Sequence, residues 1–260
     1  QRENNYAVQP MTKEAFIDVV TEGQTAPPAY FGYDAALNKA IRPLFFEETG
    51  SRPLDLAEVL DAQQTRAIVL DSRSPDEFAL GHLRGSINVG LAGRYSEFVG
   101  GIITAGTPIV IVADEAHENE SKTRLARIGF DDVIGHLADP VQAFTNAPKH
   151  VVRSSRVEVA GAKAAMAGVA DLQVVDVRQP GETADGVIEG ATLIALTQLN
   201  DRINELDPTK PTLLYCAGGF RSMIASSKLE QAGFTDVIDL LGGYGAWSGA
   251  GEPVVVPAGV

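Results

Sequence analysis

The chain of 260 residues contains one cysteine, and the residues around it define what it could do. Cys216 ends the apolar run Leu213-Leu214-Tyr215 and is followed by Ala217, Gly218, Gly219, Phe220, Arg221 and Ser222. A short glycine-bearing loop between a strand and a helix gathers backbone N–H groups and the positive end of the helix dipole at one point. A thiol held there is expected to ionise: free cysteine titrates near 8.5, and a helix N-terminus or nearby cation brings it to roughly 3.5–7.5. A thiolate in such a loop is a nucleophile. Gly218 and Gly219 permit the backbone angles of an anion nest, and Ser222 is the expected first residue of the helix. Phe220 supplies an apolar wall, and Arg221 either steers an anionic ligand or braces the loop against an acidic residue. A cysteine ending an apolar strand is ordinarily a small buried hydrophobe. Loop, helix start and arginine together are what argue for chemistry.

Such a loop needs a scaffold, and the scaffold is written twice. Asp71, Arg73, Glu77, Gly81 and Gly85 return 105 residues later as Asp176, Arg178, Glu182, Gly186 and Gly190. Gly129-Phe130-Asp131-Asp132-Val133 returns 104 residues later as Gly233-Phe234-Thr235-Asp236-Val237. A repeat of that length is a duplicated domain, since solenoid units are much shorter. The boundary is expected near residues 146–149, a polar stretch containing Pro148. That gives an arm at 1–50, a first domain at 51–148 and a second at 149–260.

Short apolar strands alternate with helical patterns in both copies, which predicts an α/β fold with mainly parallel sheets and helices on both faces. In the second copy Ser155-Arg156-Val157-Glu158 reads as a capping box opening a helix that runs to about Met166. A strand at 172–175, a short helix after Pro180, an extended piece at 191–194 and a helix at 199–206 follow. The strand 212–215, the helix 222–231 and a strand at 237–240 complete it. In the first copy Ser74-Pro75-Asp76-Glu77 combines a capping box with proline at the first helical position. In the arm, Thr12 is expected to cap a helix over 13–21, Pro27-Pro28 to end any helix, and Ala29-Tyr30-Phe31 to lie extended.

The two copies differ where the chemistry would be. Aligning their apolar strands puts Ala113 where Cys216 stands, and residues 114–120 carry three Glu and one Asp but no glycine. An acidic loop repels anionic donors and raises a thiol's pKa, so the first copy reads as a scaffold or docking domain. It nevertheless keeps Asp71, Arg73 and Glu77, so Asp176, Arg178 and Glu182 read as structural support for the loop rather than as catalysts. Tyr215 and Trp247 read as packing residues.

Composition excludes several classes. The formal net charge is -13, from 21 Lys+Arg against 34 Asp+Glu, and no basic face is concentrated anywhere for nucleic acid or an anionic membrane. No apolar run approaches the roughly 20 residues of a membrane span. His82, His117, His136 and His150 stand singly, so no metal site is expected, and no cofactor either. A single cysteine makes no internal disulfide, which points to a reducing compartment such as the cytoplasm. The start Gln1-Arg2-Glu3-Asn4-Asn5 has neither an initiator Met nor an apolar signal core, so either the middle of a longer chain or a processed chain is expected.

The Asp-x-Arg-x-Pro-x-Glu segment, Cys216-x-x-Gly219-x-Arg221 and Gly242-Gly243-x-x-Ala246-Trp247-x-x-x-Gly251-x-Pro253 resemble the rhodanese family over about 200 residues. The resemblance implies a sulfurtransferase with Cys216 as its persulfide-forming nucleophile. The first copy departs from it, lacking both the thiol and the Gly-Gly-x-x-Ala-Trp ending. Asn5-Tyr6-Ala7 and residues 27–31 resemble the segment joining a metallo-β-lactamase-fold persulfide dioxygenase to its rhodanese domains in bacterial fusion proteins. That likeness implies such a domain upstream, and glutathione persulfide or thiosulfate as donor. Thiocyanate formation from cyanide would be the assay. Two alternatives stand beside this reading. A cysteine phosphatase or arsenate reductase would place five residues between Cys and Arg, whereas four intervene here. A non-catalytic carrier or sensor of sulfur would accept one atom and wait for a partner.

Overall fold

The structure, a computed structural model, describes residues 5–22, 28, 30–41 and 50–257. Gln1 to Asn4, Pro27 and Ala29, on which parts of the arm's reading fall, lie outside those residues. Among the described residues the strands are, in chain order, β1 (Pro53–Leu54), β2 (Ile68–Asp71), β3 (His82–Leu83), β4 (Ile87–Asn88), β5 (Ile109–Val112) and β6 (Val133–Leu137). Then come β7 (Val151–Val152), β8 (Ser155–Val157), β9 (Gln173–Asp176), β10 (Thr192–Leu193), β11 (Thr212–Tyr215) and β12 (Val237–Leu240).

They build two five-stranded sheets, ordered β1-β6-β5-β2-β4 and β10-β9-β11-β12-β8, in which every pairing is parallel. The α/β architecture implied by the alternating pattern is therefore the one observed. β5 and β11 sit at the middle of their sheets, and all four residues of each are buried. Strands covered on both faces need continuous apolar runs, which is why Ile109-Val110-Ile111-Val112 and Leu213-Leu214-Tyr215 do not alternate.

One apolar cluster runs through both halves, from Leu70, Ile87 and Tyr95 to Val175, Leu214 and Ile224. Separate cores close the far faces, around Val69 and Val110 in the first half and around Leu213, Tyr215 and Trp247 in the second. The halves also meet by hydrogen bonding: the Asn88 N–H of β4 donates to Ser227 Oγ on the helix Phe220–Gln231 at 3.0 Å. β7, just before the second sheet, pairs antiparallel with β3 of the first half.

Local signals hold in several places. Ser74 Oγ accepts from Glu77 N–H and the Glu77 carboxylate accepts from Ser74 N–H, a reciprocal cap on the helix Pro75–Leu80. Thr12 caps Lys13–Thr21 through Ala15 N–H at 3.1 Å. Elsewhere tertiary pairing wins. Ser155-Arg156-Val157 is not a capping box but strand β8, in parallel register with β12, and the helix opens later, at Val159–Gly168. A ladder of backbone bonds to β12 outweighs a local cap. The expected helix over 199–206 is split into the 3-10 turn Leu196–Gln198, the α-turn Leu199–Arg202 and the 3-10 turn Ile203–Glu205. Phe31 is not extended but opens the helix Phe31–Leu37, with Tyr30 in right-handed helical geometry before it. The Tyr30 ring lies against Gly100, where any Cβ would collide with it, so packing fixes this helix start.

Candidate active site

β11 carries the chain outward between β9 and β12 and releases Cys216 at its C-terminal end, where the crevice of an open parallel sheet forms. The next helix is Phe220–Gln231, two residues earlier than its pattern suggests, because Gly219 takes the left-handed angle φ +91 and ends the loop abruptly. Cys216 is 1% exposed, with Ala217 and Gly218 exposed above it. Gly219 N–H donates to Cys216 Sγ at 3.1 Å, and Ser222 Oγ donates to the same sulfur at 3.5 Å. The helix N-terminus thus faces the thiol.

A second helix, Gly243–Gly249, holds the loop from behind. Tyr244 N–H donates to the Cys216 carbonyl at 2.7 Å and Gly245 N–H to the Ala217 carbonyl at 3.0 Å. A Cβ on Gly243 would collide with the Cys216 carbonyl, and its φ of +55 is left-handed as well. This gives the Gly242-Gly243 pair its physical role, which the linear motif does not reveal.

The expected supporting residues converge on the same loop. Arg178 pairs with the fully buried Asp176 at 2.6 Å and donates to the Glu182 carbonyl at 3.0 Å and the Gly186 carbonyl at 2.7 Å. Its guanidinium also stacks 3.9 Å from the centre of the Tyr244 ring, and Tyr244 is the residue whose N–H grips the Cys216 carbonyl. Glu182 in turn accepts two bonds from Arg221, each 2.6 Å. That bidentate partner, first among the causes, holds the Glu182 carboxyl down at about 2. The Arg221 guanidinium is held more firmly charged, by Glu182 above all and by Cys216 to a lesser degree. Of the two roles read for Arg221, the geometry supplies bracing, with the charge still close to the sulfur. Tyr215 is buried and accepts Ile188 N–H at 3.0 Å, while Trp247 donates to the Pro253 carbonyl at 2.9 Å, both as packing residues.

Several neighbours of the loop escaped the linear reading. The half-buried Phe220 ring meets Phe98 of the first half at 5.7 Å between centres, and a Cβ on Gly90 would press on the same ring. The first half therefore supplies part of the wall. Arg156 and Asp239, on neighbouring strands, meet behind Gly219. Residues so far apart along the chain leave no local signature.

The corresponding place in the first half is an open cavity of about 1160 Å³, with Ala113 where the thiol would be and Asp114, Glu115 and Glu118 on its lining. The Asp71–Arg73 pair persists there at 2.6 Å. Burial, followed by the charge of Glu77, pushes the Asp114 carboxyl up.

Two linked parallel α/β domains, one presenting a buried thiol to a helix N-terminus, define the class. The chain belongs to the rhodanese family: the Rhodanese-like domain matches residues 53–147 and again 160–250. It is similar to a Bacillus subtilis protein of unknown role, YqhL, with 42% identity over 83 residues, or 32% of this chain and 66% of that protein. A sulfurtransferase of Allochromatium vinosum is 35% identical over 94 residues, or 36% of this chain and 88% of its own length. Among solved structures, a rhodanese-related protein of Thermoplasma volcanium overlaps 40% of this chain and 99% of its own, with 29% identity and a TM-score of 0.37. Among the described residues no helix is long and apolar enough to cross a membrane.

Proposed function

We propose that this chain is a sulfurtransferase of rhodanese type whose only reactive group is Cys216. The observation that carries this reading is the buried thiol receiving the Gly219 N–H at 3.1 Å immediately before a helix N-terminus. In the first step the Cys216 thiolate attacks the outer sulfur of thiosulfate. The S–S bond of the donor breaks, and sulfite leaves with the electron pair. With a persulfide such as glutathione persulfide the leaving group is the thiolate. The product, Cys216-S-S⁻, places its terminal sulfur among the N–H groups of residues 217–221, which stabilise the anion in the manner of a backbone nest. In the second step a thiophilic acceptor attacks that terminal sulfur, the Cys216 S–S bond breaks, and the thiolate returns. Arg221, pinned by Glu182, keeps a positive charge at the mouth without entering a bond-making step.

Residues 149–260 form the catalytic part in this reading, 51–148 a domain without a nucleophile, and 1–50 an arm leading from a metallo-β-lactamase-fold domain upstream. The reducing cytoplasm suits a chemistry that depends on a free thiol. The loop's four-residue spacing to Arg221 favours a single sulfur atom over a phosphoryl group. The near-complete burial of Cys216 favours a second reading, a carrier that releases sulfur only to a docked partner.

Mixing the protein with thiosulfate and cyanide and following thiocyanate tests the assignment. Sustained turnover that disappears in Cys216→Ser supports the enzyme. One equivalent of sulfur bound without turnover supports the carrier, and equal rates in both proteins sink the role of Cys216 altogether.

A further inference from the structure

Arg156 lies on β8, the edge strand of the second sheet, in direct register with Asp239 of β12. Its Nε donates to Asp239 Oδ2 at 2.9 Å. Its Nη2 reaches the Gly219 carbonyl at 3.4 Å. Its Nη1 meets Asp76, in the first turn of the helix Pro75–Leu80 of the cysteine-less half. One guanidinium therefore touches the sheet floor, the cysteine loop and the other half of the molecule. Only Arg has the rigid fork of donors that can do this; a Lys ammonium is a single point.

Its grip falls on the residue that matters most to the sulfur. The Gly219 N–H faces Cys216 Sγ, and the carbonyl on the other side of the same α-carbon faces Arg156. Glycine has no Cβ to limit its swing, so a partner on its carbonyl is what restrains the turn. Beneath it, Asp239 is fully buried, and its Oδ2 accepts the Arg156 Nε–H. Burial, opposed by Ser222 and Arg156, pushes this carboxyl up to about 6. Ser222 is the same residue whose hydroxyl donates to Cys216 Sγ.

We propose that Arg156 is a positioning residue of the cysteine site. It clamps the Gly219 turn so that the N–H stays aimed at sulfur, and Asp76 of the cysteine-less half holds the clamp in place. The proposal rests on Cys216 being the sulfur-holding residue, and its test avoids sulfur donors so that the two can fail separately.

Two measurements report on it: hydrogen exchange of the Gly219 amide, and the pH profile of Cys216 alkylation by iodoacetamide. Arg156→Lys keeps a cation beside Asp239 and leaves Arg221, Glu182 and Asp239 around the thiol unchanged. The pair Arg156→Gln with Asp239→Asn removes both charges, so that no buried carboxylate is left alone if the lysine variant folds poorly. In folded variants the Gly219 amide is expected to exchange about tenfold faster, and the alkylation profile to move to higher pH as the sulfur loses a donor. Asp76→Asn, whose side chain is 83% exposed in the native protein, gives the same changes at smaller size. Native values of both measurements in both Arg156 variants would overturn the clamp and leave Arg156 as a counterion for Asp239. Native values in Asp76→Asn alone would overturn the part given to the cysteine-less half. Both shifts occurring in a protein that takes up no sulfur would uphold the clamp and count against the transfer reading.

Discussion

β5 and β11 are one strand written twice, each four residues long, wholly buried, and central in a five-stranded parallel sheet. Both are followed by a loop and a helix, and both sheets keep a buried Asp–Arg pair two residues apart, at 2.6 Å in each half. The difference lies in what the loop is allowed to do. After β11 a left-handed Gly219 turns its N–H onto sulfur, and a second helix, Gly243–Gly249, ties down the loop carbonyls. After β5 the chain has Ala113, an acidic run, and a wide cavity where the second half has a closed nest. The scaffold is common to both halves. The thiol, the left-handed glycine turns and the held arginine are features of the second.

The largest effect that would break this comparison is a transplant. Cys216→Ser is expected to lower thiocyanate formation by about a thousandfold or more, the range for losing a nucleophile. Adding Ala113→Cys to that variant should not restore turnover, because Asp114, Glu115 and Glu118 surround the new thiol and no Gly219 equivalent serves it. Recovery of even a few percent of the native rate would show that the scaffold carries more of the activity than the loop does.

Gly243→Ala is expected to come next. The added Cβ meets the Cys216 carbonyl, and a left-handed alanine costs a further ~1–2 kcal/mol. Because the obstacle is backbone, relief requires moving the cysteine loop itself. A fall of about a hundredfold in kcat, with a lowered melting temperature, is the expected result. Gly93 is the control: it too has positive φ, at +68, but nothing stands within 4 Å of the place an added methyl would take, so Gly93→Ala should cost stability only.

Smaller again is the clamp on Arg221. Glu182→Gln keeps the size of the side chain and one acceptor but frees the arginine, and about tenfold lower kcat/KM for an anionic donor is expected. The pair is partly exposed, so its contribution to folding is discounted to at most about 1 kcal/mol. If donor KM were to fall instead, the bracing role would be wrong and the freed Arg221 would be a better donor ligand than the bound one.

Much of this architecture was legible in the chain, and the exceptions share a cause. The strand Thr212–Tyr215 is bounded as its apolar run suggests, and Ser74 caps its helix as its spacing suggests, because both signals are local. Ser155-Arg156-Val157-Glu158 misleads because its real partner, β12, is distant in sequence, and a strand ladder outcompetes a cap. Arg156 and Asp239 were illegible for the same reason: they are neighbours only once β8 and β12 pair. The early start of the helix at Phe220 follows from the left-handed angle of Gly219, which glycine permits but does not announce. The cysteine-loop motif of the second half was readable; the residues that hold it from behind were not.

The mildest test sets the two halves against each other by pH. Glu182, held at about 2 by Arg221, stabilises the fold at any pH above its ordinary value near 4.5, and that contribution is lost as pH falls toward 2. Asp114 runs the other way: burial raises its pKa in the native state, so the folded chain binds the proton more readily than the unfolded one. Its ionised form is a small penalty above that raised value, relieved as pH falls through it. Carboxyl-carbon NMR titration should therefore find Asp114 protonating before Glu182 as pH falls, with the Arg221 guanidinium resonances steady until Glu182 titrates. Reversal of that order would mean that the closed nest and the open cavity do not differ electrostatically in the way their geometry implies.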